Sequence, residues 1–399
     1  MSRRRAAALI VAPLLLIVAC GDNGDSDAGT TVGGATTPTE SAPIDTSGSV
    51  PDISIPPDLD VVDGEPFPAD RCEANQAAGT ITYLSGFDFA ATASIVDVLV
   101  ADSKGYYDEL CLDVELRASF SVDNYPQVAA NQAQFASGGS FSEMVDFAGA
   151  NDAGFVALAV EGRTGIDALI TKEGAIETLA DIEGKKIGVK GALTTSVRAM
   201  LAQEGLVEGV DFETVLLDGF DPLVHIEAPD IIGFPGYKNN EPEQLTAADV
   251  PFTVFDPSEF DIPGSFGVIY SNNTFLTEHP TAAQDFMRAT MRGLHDAIED
   301  PEAAAQIAVD AINANGNAMF LSADGETARW ATDAQLVAES VTPEAPLGLP
   351  LIELLNEEVT TYAEVGLFDG IAPIIASMVD PSVLEGVYDG TGTVIWPAT

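Results

Sequence analysis

Several short stretches of the sequence carry polar or aromatic side chains of the kinds that hold a small molecule. The first is the loop Ser85-Gly86-Phe87-Asp88-Phe89, in which two aromatic residues and a carboxylate surround a glycine. The other candidate ligand-binding residues are Gly139, Ser140, Gly191, Thr194, Thr195, Phe220 and Tyr237. Aromatic rings can stack on a planar ligand, while hydroxyl groups fix its polar atoms. A lone carboxylate does not make a general acid–base pair, so the set favours binding over catalysis.

The elements around the first loop explain why it is placed at a site. Residues 79–117 are interpreted as strand, loop, helix and strand, because apolar residues alternate at both ends and recur at helical spacing between them. Such a βαβ unit puts the loop at the carboxyl end of a sheet, where open α/β folds bind small molecules. An ordinary βαβ unit without a ligand, with Asp88 as a helix cap, remains the alternative.

The later candidates follow predicted strands or precede predicted helices. A helix is predicted over residues 125–135, and Ser140 then begins a short helical run. Thr194 and Thr195 begin a helix after the strand that ends at Val189. The free backbone N–H groups of the first turn of this helix either face a ligand or are only capped by a threonine side chain. For Ser140 a structural turn, and for Tyr237 a packing role, are the competing interpretations.

The charge balance excludes two classes of partner. The 399 residues include 16 Lys and Arg against 63 Asp and Glu, giving a formal net charge of -47. Such a chain repels nucleic acid and anionic lipid headgroups, so we expect neither as a partner.

The amino terminus has the pattern of a secretory signal. Three arginines precede an apolar run over residues 6–18, which is too short for a comfortable transmembrane helix, and Cys20 follows. The pattern resembles a bacterial lipobox, with residues 1–19 as signal peptide and Cys20 as the lipidated residue that anchors the protein outside the cell membrane. Residues 20–70, rich in Gly, Thr, Ser, Asp and Pro, are predicted to be a disordered linker. A plain signal peptide and a pro-segment are the alternatives.

The cysteines predict one disulfide and no metal site. With Cys20 lipidated, Cys72 and Cys111 remain as a pair in an oxidising compartment. None of the three histidines lies at ligand spacing from them, so a metal centre is disfavoured and no cofactor is expected.

Three motifs together resemble one protein family. They are Ala101-Asp102-Ser103-Lys104-Gly105-Tyr106-Tyr107 with Leu112-Asp113-Val114-Glu115-Leu116, the stretch from Thr178 to Val189 (TLADIEGKKIGV), and the stretch from Ile231 to Pro242 (IIGFPGYKNNEP). They are similar to motifs of NitT/TauT-type solute-binding proteins of ABC importers, over about residues 79–370. Cys111 departs from the family pattern, which usually has glycine there.

The resemblance implies an α/β fold of the type II periplasmic-binding-protein class. Each of two lobes is expected to be a mixed sheet flanked by helices, with residues 71–166 and 265–399 forming lobe 1 and residues 167–264 forming lobe 2. The helices predicted over residues 282–299, 301–314, 325–341 and 352–365 are expected to pack on lobe 1.

The resemblance also implies a function. A monomeric, lipid-anchored receptor would capture a small molecule between its lobes and deliver it to the permease subunits of an importer. The absence of a basic cluster in the candidate loops favours a heterocycle, such as a thiamine pyrimidine precursor, over an alkanesulfonate, taurine or nitrate. A related enzyme, the thiamine pyrimidine synthase, is disfavoured because Ile95 and residues 261–265 stand where that enzyme has its histidine and cysteine cluster. An anchored structural or sensory module is the third class.

Overall fold

The structure, a computed structural model, describes residues 53–398 except residues 152, 220 and 316–321. The strands in chain order are β1 (Thr80–Leu84), β2 (Asp113–Arg117), β3 (Phe135–Gly138), β4 (Phe155–Gly162), β5 (Asp167–Lys172), β6 (Lys186–Val189), β7 (Glu213–Leu216), β8 (Gly233–Tyr237), β9 (Phe252–Phe255) and β10 (Phe266–Asn272). The α-helices are α1 (Ala69–Ala77), α2 (Val96–Ser103), α3 (Tyr106–Glu109), α4 (Ser121–Ala129), α5 (Phe141–Asn151), α6 (Thr195–Gln203), α7 (Pro222–Glu227), α8 (Glu241–Ala247), α9 (Asn273–Glu278), α10 (Pro280–Glu299), α11 (Pro301–Asn315), α12 (Ala323–Glu339), α13 (Ile352–Glu364) and α14 (Ser382–Glu385). Short 3-10 helices cover Pro57–Leu59, Leu179–Ile182, Pro257–Phe260, Phe368–Gly370 and Ile375–Ser377.

Two five-stranded sheets are built on the same plan. The first has the order β2-β1-β3-β10-β4, and the second has the order β7-β6-β8-β5-β9. In each sheet the first three strands are parallel, and the fourth, β10 or β5, is antiparallel to both of its neighbours. Each sheet is the centre of one lobe, so the α/β two-lobe fold expected from the sequence is confirmed.

The chain passes between the lobes twice. Residues 163–166 join β4 of lobe 1 to β5 of lobe 2, and residues 256–265 return from β9 to β10. Apolar runs explain why the flanking strands lie at the centre of the molecule, since every residue of β4 and β10 is buried. Two adjacent chain crossings between two sheets are the geometry of a hinge.

Helices cover both sheets and bury separate cores. The largest core lies where α2 and α10 pack on the first sheet, and it includes Phe286, Met287, Leu294 and Trp330. A second core fills the other face of that sheet, and a third covers the second sheet. The helices α9 to α12 and α14 belong to lobe 1, and α12 and α13 also contact lobe 2, at α8 and α6 respectively. No helix among the described residues is both long and apolar enough to span a bilayer.

The folded unit begins earlier than the sequence predicts. Residues 53–70 were expected to be part of a disordered linker, but Leu59 accepts a hydrogen bond from Arg71, and Gly64 donates one to the backbone oxygen of Trp396. Ala398 donates in turn to Glu65. The linker prediction is therefore wrong for this stretch, because a low apolar content does not report pairing with the distant carboxyl end. Residues 1–52, with the predicted signal peptide and Cys20, lie outside the described residues.

One helix boundary also differs from the sequence prediction. The helix predicted over residues 125–135 ends at Ala129, and Phe135 begins β3 instead. There Phe135 pairs with Tyr83 of β1 and with Ser271 of β10. Pairing with strands distant in sequence overrides the local helical pattern, which is a tertiary effect that periodicity does not contain.

The disulfide predicted from the cysteine count is present in the structure. The sulfur atoms of Cys72 and Cys111 are 2.03 Å apart, and the bridge ties α1 to the turn before β2. Cys111 has a φ of 59°, in the left-handed region that favours glycine. This backbone conformation explains why a glycine is usual at that position in the family that the motifs resemble.

Removing this disulfide is expected to destabilise the protein. The bridge closes a loop with a sequence separation of 39. In the chain-entropy account, its loss lowers the free energy of unfolding by about 2–4 kcal/mol. We predict this loss for the double variant Cys72→Ser/Cys111→Gly, measured by urea unfolding. A reductant should weaken the parent protein and leave the variant unchanged, and equal stability of the two proteins would contradict the prediction.

Candidate functional site

The two lobes meet at a polar contact between the amino-terminal ends of two helices. The Ser142 hydroxyl of α5 lies 3.2 Å from the Thr195 hydroxyl of α6 and 3.1 Å from the Ser140 hydroxyl. The Ser142 backbone N–H donates to Glu358 of α13, and the Phe141 N–H donates to Ser265 of the return crossing. This contact brings two of the predicted site residues, Ser140 and Thr195, to one place between the lobes.

Beside this contact lies a group of tyrosines and carboxylates from both lobes, which we call the tyrosine–carboxylate pocket. Its members are Tyr125, Glu143 and Tyr270 of lobe 1 and Asp167 and Tyr237 of lobe 2. Asp167 and Tyr237 are partners in the register between β5 and β8. Burial raises the pKa of all three tyrosines, and the nearby Glu143 carboxylate raises each of them further. One carboxylate close to three hydroxyls from two lobes shows that these groups converge.

Two of these side chains keep accessible surface although protein atoms surround them. Tyr237 keeps 43 % of its surface accessible to solvent, although protein atoms surround its ring closely enough to raise its pKa strongly. Glu143 is likewise only half-buried but desolvated. Accessible surface on groups that lie inside the molecule is typical of residues lining a cleft. Two glycines leave it room, since a Cβ on Gly138 would lie 3.3 Å from the Tyr125 hydroxyl and one on Gly139 would lie 2.6 Å from the Glu143 carboxylate.

Glu143 has a structural role as well. The Ser140 hydroxyl accepts a hydrogen bond from the Glu143 backbone N–H at 3.2 Å, as in a capping box at the start of α5. Burial raises the pKa of Glu143, an effect opposed by hydrogen bonds from the Ser140 and Gly139 backbone and increased by Asp167. A carboxylate has about four acceptor sites. The cap therefore leaves acceptor capacity directed at the pocket.

Thr194 is the N-cap residue of α6 but does not cap it. Its side chain makes no cap hydrogen bond, and its hydroxyl is buried without a partner among the described residues. The first turn of α6 therefore keeps free backbone donors next to the contact between the lobes. The interpretation of Thr194 as a cap loses its main support, and the prediction that it binds a ligand remains.

Two cations beside the lobe contact, Lys190 and Arg163, are engaged by protein groups. Lys190 donates to Glu241 at 2.8 Å, and Glu241 also accepts from the Tyr237 backbone N–H at 2.7 Å. Arg163, in the first crossing, donates to four backbone oxygens, those of Ser340, Ala345, Pro346 and Leu349. By contrast, neither Glu143 nor Asp167 has a salt-bridge partner among the described residues. The cleft is therefore acidic.

Helix α12 holds the two lobes together at a second place. The Asn239 amide, in the turn after β8, donates to Asp333 at 2.7 Å and to Thr92 at 3.3 Å. Arg329 donates to the side-chain oxygen of Asn240 at 2.6 Å. These contacts cross from lobe 1 to lobe 2 and hold the two lobes against each other.

The loop after β1 lies at the carboxyl end of that strand, as predicted, and most of its side chains are buried. Ser85 and Phe89 are buried, with 0 % and 3 % of their surfaces exposed, and the Ser85 hydroxyl accepts from the Ser119 N–H. Asp88 is also buried, with a φ of 49°, and its side chain accepts from the Phe89 N–H. Phe87 is half-buried, edge-to-face with Phe120. The side chains of Ser85, Asp88 and Phe89 are thus buried beneath the loop, and their part in ligand binding stays a prediction.

Of the remaining predicted site residues, one is exposed and one is undescribed. Gly191 is exposed with a φ of 115°, and a Cβ there would meet no atom within 4 Å. Phe220 lies outside the described residues. For metals, His295, Asp296 and Glu299 form one cluster of possible ligands on the surface, but Asp296 already accepts from Lys104 and Tyr106.

The carboxyl groups of Asp97 in α2 and Glu161 in β4 form a buried pair in lobe 1. Asp97 and Glu161 are 0 % and 1 % exposed, and the Glu161 carboxylate accepts from the Ser94 N–H at 2.9 Å. Burial raises the pKa of Asp97 to about 6, and burial together with the Asp97 charge raises that of Glu161. Two adjacent carboxyls in an apolar core favour a state in which they share one proton.

We predict that Asp97→Asn stabilises the protein at neutral pH. The folded-state pKa lies above that of the unfolded chain, so the stabilising contribution is present at low pH and is lost as pH rises through about 6. An amide removes the buried charge and can donate to Glu161, and the expected gain is on the order of 2 kcal/mol at about pH 7.5. Urea unfolding at about pH 7.5 and about pH 5 tests this. The free energy of unfolding should rise less on acidification in the variant than in the parent protein. Burial also raises the pKa of Asp333 to about 6. Because Asp333 is unchanged in the variant, both proteins still gain some stability on acidification. A variant less stable than the parent at neutral pH would contradict the prediction.

Sequence reasoning missed four of the five pocket residues. Tyr125 and Tyr270 lie inside elements that read as core, and most of each ring does pack on aromatic neighbours. Glu143 follows Ser140 at capping-box spacing, which was the available signal. Asp167 interrupts an apolar strand at its first residue, beside the crossing, and a carboxylate at such a position is a signal of a site.

The protein has two lobes with the same sheet topology, two chain crossings between them and a polar pocket at their contact. These features define the periplasmic-binding-protein fold. Solved structures agree with this class. The ligand-binding component of an ABC-type import system from Staphylococcus aureus, with zinc bound, superposes with a TM-score of 0.56 at 14 % identity, covering 77 % of this chain and 98 % of that one. The alkanesulfonate-binding protein SsuA from Xanthomonas axonopodis pv. citri, bound to MOPS, gives a TM-score of 0.53 at 14 % identity, covering 75 % and 98 %.

Sequence comparison identifies the family. The profile of the family described as NMT1/THI5 like matches residues 92–304, more than half of the chain. The chain belongs to the NMT1/THI5-like family. The riboflavin-binding protein RibY of Chloroflexus aurantiacus is 27 % identical over 139 residues, which are 34 % of this chain and 39 % of that protein. The match thus spans about two fifths of the length of that curated relative.

Proposed function

We propose that the protein is an extracytoplasmic solute-binding protein, anchored by a lipid on Cys20, that delivers a small heterocycle to the permease subunits of an ABC importer. The observation that carries the proposal is the tyrosine–carboxylate pocket at the contact between two hinged lobes. Aromatic rings with a few convergent polar groups are the usual lining of a small-molecule site. Closure of the lobes follows if the ligand binds the closed arrangement more tightly than the open one.

The acidic cleft supports a neutral or cationic ligand. Lys190 and Arg163 are already engaged, whereas Glu143 and Asp167 are not neutralised by a cation among the described residues. An alkanesulfonate or nitrate would have to bind beside these carboxylates at a cost in electrostatic free energy. A thiamine pyrimidine precursor is therefore our preferred ligand. Riboflavin is the second candidate, because the relative from Chloroflexus aurantiacus is named for binding it.

We do not propose catalysis. Ile95, at the position of the histidine in the related synthase, is an apolar residue with 2 % of its surface exposed. Residues 261–265 form the return crossing and contain no thiol. Neither place supplies a proton donor or a nucleophile of the kind that enzyme has.

The proposal is tested by a thermal-shift screen of the purified protein against aminopyrimidines, flavins, alkanesulfonates and nitrate. A rise in Tm with a heterocycle, without chemical change of that compound, supports the proposal. A rise only with sulfonates or nitrate contradicts the choice of ligand. Covalent turnover of the bound compound, or unchanged uptake of it after deletion of the gene, contradicts the receptor function.

A further inference from the structure

Three buried polar atoms in the tyrosine–carboxylate pocket have no hydrogen-bond partner among the described residues. They are the hydroxyl oxygens of Tyr125 and Tyr270 and one carboxylate oxygen of Asp167. The three residues are 1 %, 0 % and 7 % exposed. Leaving a buried polar group unpaired costs about 1–3 kcal/mol. Such atoms at a contact between two lobes point to a ligand group that pairs with them.

The chemistry of the unpaired atoms restricts that ligand group. An ionised carboxylate only accepts hydrogen bonds, whereas a tyrosine hydroxyl both donates and accepts. Glu143 presents its carboxylate from lobe 1 and Asp167 from lobe 2. Of the other carboxylates nearby, Glu241 is paired with Lys190. Glu358 accepts from Ser142 with one oxygen, and its other oxygen is buried without a partner among the described residues. The pocket therefore offers acceptors from both sides and hydroxyl groups between them.

We propose that Glu143 and Asp167, with the hydroxyl groups of Tyr125, Tyr270 and Tyr237, form the subsite that receives an amino- or ammonium-bearing edge of the ligand. The inference rests on the proposed function and names its recognition chemistry. The two carboxylates accept from N–H groups, and a tyrosine hydroxyl donates to an adjacent ring nitrogen. Because the acceptors come from both lobes, an amino-bearing ligand favours closure and a carbonyl-bearing or anionic one opposes it.

A pair of matched compounds separates these possibilities. In 4-amino-5-hydroxymethyl-2-methylpyrimidine the exocyclic amine supplies two N–H donors, and the adjacent ring nitrogen is an acceptor. Its 4-oxo counterpart has nearly the same size but exchanges the two functions, since a carbonyl acceptor replaces the amine and the adjacent ring nitrogen carries a hydrogen. A site built for one arrangement of donor and acceptor rejects the analogue in which the two are exchanged, because its polar groups are left unpaired.

The test is isothermal titration of the full chain with the two pyrimidines and with ethanesulfonate. We expect the amino compound to bind at least about 30-fold more tightly than the oxo compound, as loss of one hydrogen bond to a charged group implies. Glu143→Gln should reduce this ratio to within about 3-fold, while glutamine retains the capping geometry of α5. Asp167→Asn should act in the same direction. The control is Asp146→Asn, which removes an exposed charge from the same helix and should leave the ratio unchanged.

Equal affinity for the two pyrimidines, or an unchanged ratio in both Glu143→Gln and Asp167→Asn, would overturn the inference. Tighter binding of the oxo compound or of ethanesulfonate would overturn it while leaving the solute-binding function standing. Absence of binding by all three compounds would also overturn it. In that case the proposed function is decided separately by the thermal-shift screen and the uptake measurement, so the two failures are distinguishable.

Discussion

The variant Asp285→Ala is expected to lower the free energy of unfolding by about 3–5 kcal/mol, because it leaves two buried arginines without their counter-ion. Asp285 is 0 % exposed and accepts two hydrogen bonds from Arg71, at 2.6 and 2.8 Å. It also accepts from Arg288 at 3.1 Å and from Asn75 at 2.8 Å. These contacts join α1 to α10 in lobe 1. Their loss is measured by urea unfolding.

A surface ion pair provides the control for this variant. Lys186 and Glu213 pair at 3.1 Å on neighbouring strands, with 46 % and 68 % of their side-chain surfaces exposed. An exposed pair contributes at most about 1 kcal/mol, so Lys186→Ala should change the stability little. Equal effects of Asp285→Ala and Lys186→Ala would show that the buried cluster does not hold α1 on the lobe as described.

The variant Gly139→Leu is expected to reduce ligand affinity by about 100-fold or more, because the new side chain prevents the ligand from forming its hydrogen bonds to the charged Glu143. A Cβ at Gly139 already meets the Glu143 carboxylate at 2.6 Å, so the larger side chain must displace Glu143 and enter the pocket. The backbone itself tolerates the change because the φ angle of Gly139 is not positive. Affinity is measured by titration with the compound that raises the Tm most in the screen.

The matched control is Gly390→Leu, where a Cβ would meet no atom within 4 Å and φ is not positive. It adds the same apolar side chain at an open position and should leave the affinity unchanged. Retained affinity in Gly139→Leu would place the ligand elsewhere than the tyrosine–carboxylate pocket.

The sequence predicted the fold better than the site, for a physical reason. Apolar runs such as residues 155–160 and the motif ending at Val189 fixed the lobes, because burial of a strand is written in its own composition. The end of the helix at Ala129 could not be read locally, because β3 exists through pairing with β1 and β10. Thr92 and Ser94 precede α2 and are of the residue types that cap helices, but neither is its N-cap residue. Thr92 instead donates to Asp333, and Ser94 has a φ of 64°.

The site depends on contacts between residues that are far apart in the chain. Ser140 and Thr195 were predicted singly, and only the fold shows that Ser142 brings them together. Tyr125 and Tyr270 are interpreted from the sequence as core residues, and their rings do pack in the core. Only the hydroxyl group of each is proposed to contact a ligand. A ligand site between two lobes is assembled by the hinge, and no local pattern records which side chains the hinge brings into contact.

The most direct test of a ligand site between moving lobes is a reversible cross-link at the contact between them. In the double variant Ser142→Cys/Thr195→Cys, the new thiols replace hydroxyl oxygens that lie 3.2 Å apart. The association rate of the ligand found in the screen is measured for the oxidised and the reduced variant, with the parent protein under the same reductant as control. We predict that the oxidised form admits ligand at least about 100-fold more slowly, since entry requires the lobes to separate. Equal rates in the oxidised and reduced forms would contradict a ligand site enclosed by the two lobes.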